Sequence, residues 1–123
     1  MRRIVSFLSF LGFVCAAYPS FATTGRPLSC LGTEPFWSAI LDETKATFEG
    51  VTNKYTYQVK KVEPPIGMHS DYMKVYHDAR GPLAVVKKGD CIDYMSDKTH
   101  EFEVTIFTTE GAFRGCCNTG LAK

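Results

Sequence analysis

Three short segments of the chain carry side chains that could together form a polar binding site. They are residues 32–37 (Gly-Thr-Glu-Pro-Phe-Trp), residues 91–97 (Cys-Ile-Asp-Tyr-Met-Ser-Asp) and residues 114–117 (Arg-Gly-Cys-Cys). Carboxylates and a hydroxyl can hold a cation or the basic group of a partner, and a guanidinium can pair with a carboxylate. If the segments converge, we expect the binding residues to be Glu34, Trp37, Asp93, Ser96, Asp97 and Arg114.

Each segment also has a purely structural interpretation. Phe36 and Trp37 would fill the core, and the polar side chains of residues 93–97 would satisfy backbone N–H groups of a loop. Asp93 and Asp97 alone fall far short of the six to eight oxygens that calcium prefers. The three histidines, at positions 69, 77 and 100, lack metal-ligand spacing and are expected on the surface. We therefore predict no metal and no cofactor.

The N-terminal 22 residues have the pattern of a signal peptide. Arg2 and Arg3 precede the apolar run Ile4–Ala17, which is too short for a membrane span. Small residues at Ser20 and Ala22 favour cleavage after Ala22. The alternative is lipidation at Cys15, although the preceding Val14 fits that signal poorly. We expect a periplasmic or secreted protein with no membrane span after cleavage.

The exported part, residues 23–123, is predicted to be one domain and a monomer. Without Arg2 and Arg3 it holds 12 basic and 13 acidic residues, and no long run has one sign of charge. Nucleic-acid binding requires clustered positive charge, so the composition excludes that class.

Four cysteines remain after cleavage, at positions 30, 91, 116 and 117. An even number behind an export signal predicts disulfide bonds. Neighbouring residues on a strand point to opposite faces, so Cys116 and Cys117 should not bond to each other. One of them should bond to Cys91 and the other to Cys30, and the spacing leaves open which does which.

The rest of the chain shows alternating apolar and polar residues separated by glycine- or proline-containing turns. This pattern predicts an all-β fold, a small antiparallel meander closed into a barrel of about seven or eight strands. Residues 23–29 are expected to be a frayed lead-in and residues 91–99 an irregular segment. The strand at Phe36–Leu41 is apolar at nearly every position and is expected to be buried on both faces. The other expected strands are Lys45–Val51, Tyr55–Val62, Tyr72–His77, Leu83–Lys88, Glu101–Thr108 and Ala112–Cys117.

The motifs G-x-E-P-F-W at residues 32–37, C-x-D-x-M-S at residues 91–96 and G-C at residues 115–116 resemble those of a family of small exported Gram-negative proteins. Members of that family are usually labelled lipoproteins of unknown function, and some occur beside META-type or lysozyme-inhibitor-type domains. The resemblance covers nearly the whole exported chain and implies an exported, disulfide-bonded fold. It implies a Cys91–Cys116 bridge, which leaves Cys30 and Cys117 as an added pair. It supplies no activity.

No Ser/His/Asp or Cys/His grouping suggests catalysis, so the first functional hypothesis is a non-enzymatic binding module. By analogy with exported lysozyme inhibitors, it would bind a protein or an envelope component through an exposed loop at residues 64–71 or 93–97. The second hypothesis is a small-ligand carrier or enzyme, in which Glu34, Asp93 and Arg114 line a concave site larger than about 300 Å³. The third is a structural protein of the envelope.

Overall fold

The computed structural model describes Gly12, residues 26–93 and residues 97–120. The predicted signal peptide, apart from Gly12, lies outside the described residues, as do Cys15 and Ser96. The described chain is all-β and antiparallel, as predicted. Its nine strands are β1 (Leu28–Thr33), β2 (Phe36–Leu41), β3 (Lys45–Glu49), β4 (Lys54–Gln58), β5 (Lys61–Glu63), β6 (Met73–Asp78), β7 (Gly81–Asp93), β8 (Lys98–Thr108) and β9 (Gly111–Thr119).

The strands form one sheet in which sequence neighbours pair, except β4 and β5, and the last strand pairs with the first. The order is β4-β3-β2-β1-β9-β8-β7-β6-β5. β1 therefore lies between β2 and β9, so the first and last of the described strands meet in the middle of the sheet. Within residues 26–93 and 97–120 there is no helix with the length and apolar character needed to cross a membrane.

The two ends of the sheet are consecutive in the chain. β4 and β5 are separated only by Val59 and Lys60. The N–H of Val59 donates to the carbonyl of Thr44 beside β3 at 3.0 Å, and the N–H of Lys60 donates to the carbonyl of His77 in β6 at 2.7 Å. No ladder joins β4 to β5, but the single stretch 54–63 pairs first with β3 and then with β6, which brings both ends of the sheet around one core.

The core is built by alternate residues from every strand except β4 and β5, which contribute partly buried residues, together with Val59 between them. Its centre is aromatic: the ring centroids of Trp37 and Phe48 are 5.5 Å apart, and those of Phe48 and Phe113 are 5.0 Å apart. Rings at such separations add attraction to their area burial. The buried aliphatic residues include Leu28, Leu41, Leu83, Val104 and Ile106.

Four of the predicted element assignments require correction. The strand predicted at Tyr55–Val62 is divided at Val59 and Lys60 into β4 and β5. Residues 28–33 form β1 rather than a frayed lead-in, because β2 and β9 supply hydrogen bonds on both sides. β2 is buried on one face only, since Phe36 is 63% exposed and Ile40 is 40% exposed. The segment predicted to be irregular belongs partly to strands, with Cys91–Asp93 in β7 pairing with Lys98–His100 in β8.

Both disulfides are present, and the pairing implied by the family resemblance is confirmed. Cys30 bonds to Cys117, its direct partner on the neighbouring strand, with 4.0 Å between Cα atoms. Cys91 bonds to Cys116 with 5.6 Å between Cα atoms, linking β7 to β9 across the intervening β8. Two structural disulfides indicate an oxidising compartment outside the cytoplasm.

Candidate functional site

The three motif segments meet around one depression of about 310 Å³, which we call the polar depression. Leu31, Thr33 and Arg114 line it and alternate along β1 and β9 with core residues, so the depression lies on the outer side of the sheet. The last residues of β7 form another wall. Its lining residues are Leu31, Gly32, Thr33, Glu34, Asp90, Cys91, Ile92, Asp93, Glu103, Arg114, Gly115 and Cys116.

Glu34 lies in the two-residue turn between β1 and β2. The turn contains a cis peptide bond between Glu34 and Pro35, and the Glu34 side chain is exposed. Because Thr33 and Phe36 are paired directly across the turn, the register of the hairpin sets the position of the carboxylate at the edge of the depression.

Trp37 lies in the core rather than at the mouth of a ligand site. It is 5% exposed and is not among the residues that line the depression. Its indole lies against the backbone of Gly32 and Gly115, where a Cβ atom on either glycine would overlap the ring. The spacing of the G-x-E-P-F-W and G-C motifs is therefore explained by packing, and the aromatic core lies directly beneath the polar depression.

The wall formed by β7 is held by the Cys91–Cys116 disulfide. The pairing of β7 with β8 is irregular between Lys88 and Cys91, and Gly89 has a φ of 146°. This β-bulge bends the end of the strand, and the Cys91 Sγ lies 3.4 Å from the carbonyl oxygen of Gly115. Asp90 and Asp93 are thus carried to the depression by a segment that is covalently tied to β9.

Arg114 pairs with Glu103 and not with any of the three carboxylates suggested by the sequence. Its Nε donates to Oε1 of Glu103 at 2.9 Å, and its Nη2 lies 2.7 Å from the same oxygen. Arg114 is opposite Thr105 in the ladder, so Glu103 is its diagonal neighbour on the same face. Glu34 and Asp93 line the same depression, Asp97 does not, and Ser96 lies outside the described residues.

The polar depression carries more negative than positive charge. Four carboxylates line it, those of Glu34, Asp90, Asp93 and Glu103, against the single guanidinium of Arg114. Among the residues described, no three His, Cys, Asp or Glu side chains are grouped so that they could hold a metal ion. Carboxylates accept charge-assisted hydrogen bonds from ammonium and guanidinium groups.

A second cavity, which we call the interior cavity, was not predicted from the sequence. It has a volume of about 360 Å³. Core residues form its inner wall, and the β5–β6 loop lies at its edge. Its lining residues are Arg26, Leu28, Glu43, Val62, Ser70, Asp71, Tyr72, Met73, Lys74, Tyr76, Val86, Lys88, Phe102 and Thr119.

Tyr76 is the buried polar side chain of the interior cavity. Burial, together with the nearby carboxylates of Glu43 and Asp42, raises the pKa of its phenol to about 12. The phenol therefore stays neutral, as a hydrogen-bonding group in an apolar wall, throughout the physiological pH range.

The expectation that the histidines lie on the surface is wrong for His100, which is buried. Its Nδ1 lies 2.6 Å from the side-chain nitrogen of Asn118. His77 is also largely enclosed and lies 3.3 Å from Glu63. No histidine lines the polar depression or the interior cavity.

No protein-family model, curated protein or solved structure matches this chain. The geometry of the two cavities is therefore the basis for inferring function.

Proposed function

We propose that this chain is a non-enzymatic exported binding module, monomeric and periplasmic or secreted, which holds a cationic group of a partner protein in the polar depression. The observation that carries the proposal is the convergence of Glu34, Asp93 and Arg114 on one depression with an excess of carboxylates. The two disulfides support export. The family resemblance agrees with export but does not identify the partner.

The charges favour a basic group over an acidic one. Glu103 and Arg114 neutralise each other, so the depression has an excess of negative charge to which Glu34 and Asp90 contribute. A lysine or arginine of a partner would form charge-assisted hydrogen bonds with such carboxylates. Complementary potentials also speed association, and this effect weakens as salt screens the charges.

The depression is preorganised. Cys91 and Cys116 are bonded to each other, so they hold the wall in place and offer no nucleophilic thiol. The floor is supported by the contact of Trp37 with Gly32 and Gly115. A rigid site loses little conformational entropy when it binds a partner, which favours recognition.

Lysozymes are the first partner class to test, because the analogy with exported lysozyme inhibitors points to them. We expect a complex with at least one lysozyme class, inhibition of its hydrolysis, and weaker binding at higher salt. The double variant Glu34→Gln/Asp90→Asn should weaken the complex roughly tenfold, which corresponds to about 1.4 kcal/mol. Unchanged hydrolysis and no complex with any class would contradict the inhibitor form of the proposal.

Glu49→Gln is the matched control, because Glu49 is an exposed carboxylate on β3 that does not line the depression. It should leave binding unchanged. An equal loss in the control variant would show that net charge, rather than the depression, governs binding.

A small-ligand carrier is the second candidate, since the depression reaches the size of about 300 Å³ at which ligand pockets begin. If the protein is a carrier, arginine amide alone should bind saturably and shift the backbone amide resonances of residues 90–93 and 114–116. Shifts with the partner protein but none with arginine amide would favour the protein binder. A structural role in the envelope stays a hypothesis, to be tested by the effect of deletion on membrane integrity.

A further inference from the structure

We infer that the interior cavity is a second binding site, which takes a small molecule with an apolar body and one anionic group. The cavity shares no lining residue with the polar depression. The inference therefore goes beyond the proposed function, and each can fail without the other.

The inner wall supplies the apolar part of the site. Leu28, Tyr76 and Val86 are buried core residues that line the cavity, and Val62 and Phe102 are partly buried beside them. The volume of about 360 Å³ lies at the lower end of the 300–1,000 Å³ typical of ligand pockets.

The charged lining favours an anion. Arg26, Lys74 and Lys88 line the cavity against the two carboxylates of Glu43 and Asp71. Lys74 is half-buried, so its charge acts where water screens it less than at the open surface. With the neutral phenol of Tyr76 as a further hydrogen-bond donor, the site has donors for a carboxylate or another small anion.

The loop between β5 and β6 forms the edge of the cavity. Its residues 70–72, with Met73 at the start of β6, line the cavity, and the carbonyl of Tyr72 accepts a hydrogen bond of 2.7 Å from the N–H of Lys88. The Lys87 ammonium lies 5.8 Å from the centre of the Tyr72 ring. The same loop carries the exposed apolar side chains of Ile66 and Met68.

Decanoate is a suitable probe, with decylamine and decanol as probes of the same chain length and different head groups. The oxidised protein would be titrated below the micelle concentrations of decanoate and decylamine and below the solubility limit of decanol, with calorimetry and backbone amide NMR as measurements. We expect saturable binding of decanoate, weaker binding of decanol and the weakest binding of decylamine. The shifted resonances should belong to residues that line the interior cavity and not to residues 90–93 or 114–116.

Two variants locate the site. Lys74→Gln should weaken decanoate binding about tenfold and leave decanol binding unchanged, because a charge-assisted hydrogen bond is lost only for the anion. Lys45→Gln, an exposed lysine on β3 away from the cavity, is the control and should have no effect. Val62→Phe should weaken both decanoate and decanol by filling the cavity, and a thermal melt would establish that it is folded.

The absence of saturable decanoate binding by the folded protein would overturn the inference. Equal affinities for decanoate and decylamine would overturn the anionic selectivity. Resonance shifts confined to the polar depression, or an equal effect of Lys74→Gln and Lys45→Gln, would overturn the location. Each result is independent of lysozyme binding, so it leaves the proposed function to its own test.

Discussion

Two glycines determine how the single tryptophan packs. Gly32 lies directly opposite Trp37 in the β1–β2 ladder, and Gly115 lies on β9 on the other side of the indole. A methyl group at Gly115 would overlap the carbonyl of Leu31 as well as the ring. A backbone atom cannot swing aside as a flexible side chain can, so the space at Gly115 is a requirement of the fold.

Gly115→Ala should therefore destabilise the protein by about 1–3 kcal/mol or more, as overpacking does in other cores. Gly50→Ala is the matched control, because a Cβ there would meet only ordinary van der Waals contacts. The control should change stability by less than about 1 kcal/mol. Denaturant unfolding would measure both, and similar midpoints for the two variants would contradict this account of the motif.

Tyr76 should make the folded state sensitive to alkali. Burial raises its folded-state pKa to about 12, above the value near 10 of an exposed phenol. Tyr76 contributes fully to the free energy of unfolding below pH 10, and this contribution is lost as the pH rises toward 12. Between these values the phenol ionises readily only in the unfolded state, which is thereby stabilised. The expected loss is about 2–3 kcal/mol.

Unfolding curves between pH 9 and pH 12 would measure this loss. Tyr76→Phe should remove that part of the pH dependence, whereas Tyr72→Phe, at an exposed tyrosine, should keep it. The same slope in the wild type and in Tyr76→Phe would contradict the assignment to Tyr76.

At the scale of elements, the two disulfides stabilise different parts of the fold. The Cys30–Cys117 bond joins neighbouring strands in the core, whereas the Cys91–Cys116 bond holds the bent end of β7 over β9. The first closes a sequence separation of 87 residues and the second one of 25. The longer loop should contribute more to stability, and the shorter one more to the shape of the polar depression.

Removing each pair as a double Cys→Ala variant should separate these roles. In the chain-entropy model, loss of Cys30–Cys117 costs about 4.5 kcal/mol and loss of Cys91–Cys116 about 3.5 kcal/mol. Hydrogen exchange at residues 90–93 should increase selectively only when the second pair is removed. A larger loss of stability for the Cys91–Cys116 pair, or uniform exchange in both variants, would contradict this division.

At the scale of the whole molecule, one sheet carries two separate concave surfaces. The polar depression is on the outer side, and the interior cavity is walled by the core. The stretch 54–63 joins both ends of the sheet to this core. The molecule is therefore expected to unfold as one unit.

Trp37 offers a direct test of that expectation, because it is the only tryptophan and lies in the core. Its fluorescence should report burial in the native state and should change in a single transition that coincides with the loss of circular dichroism. Two transitions, or a fluorescence change without loss of secondary structure, would contradict a single cooperative domain. The predicted single domain at residues 23–123 stays a prediction until this measurement.

Much of the fold could be predicted from the sequence because strand periodicity is local. Alternation along residues 45–62 and 101–108 identified strands, although Val59 and Lys60 divide one of them where its pairing partner changes from β3 to β6. The opposite orientations of Cys116 and Cys117 likewise excluded a bond between them. The sequence showed only that a binding site at Glu34, Asp93 and Arg114 requires the three residues to lie close together. In the structure all three line the polar depression.

The remaining features depend on contacts between distant residues, which local pattern does not encode. β1 is a strand because β9 lies beside it, and Phe36 is exposed because nothing in residues 26–93 or 97–120 covers that face of β2. Arg114 pairs with Glu103 because ladder register makes them diagonal neighbours. The residues that line the interior cavity come from distant parts of the chain, so no local pattern indicates it. The sequence by itself therefore determined the pattern of strands and excluded a bond between Cys116 and Cys117. Only the tertiary structure decided which side chains face one another, because that depends on the register between strands that are distant in sequence.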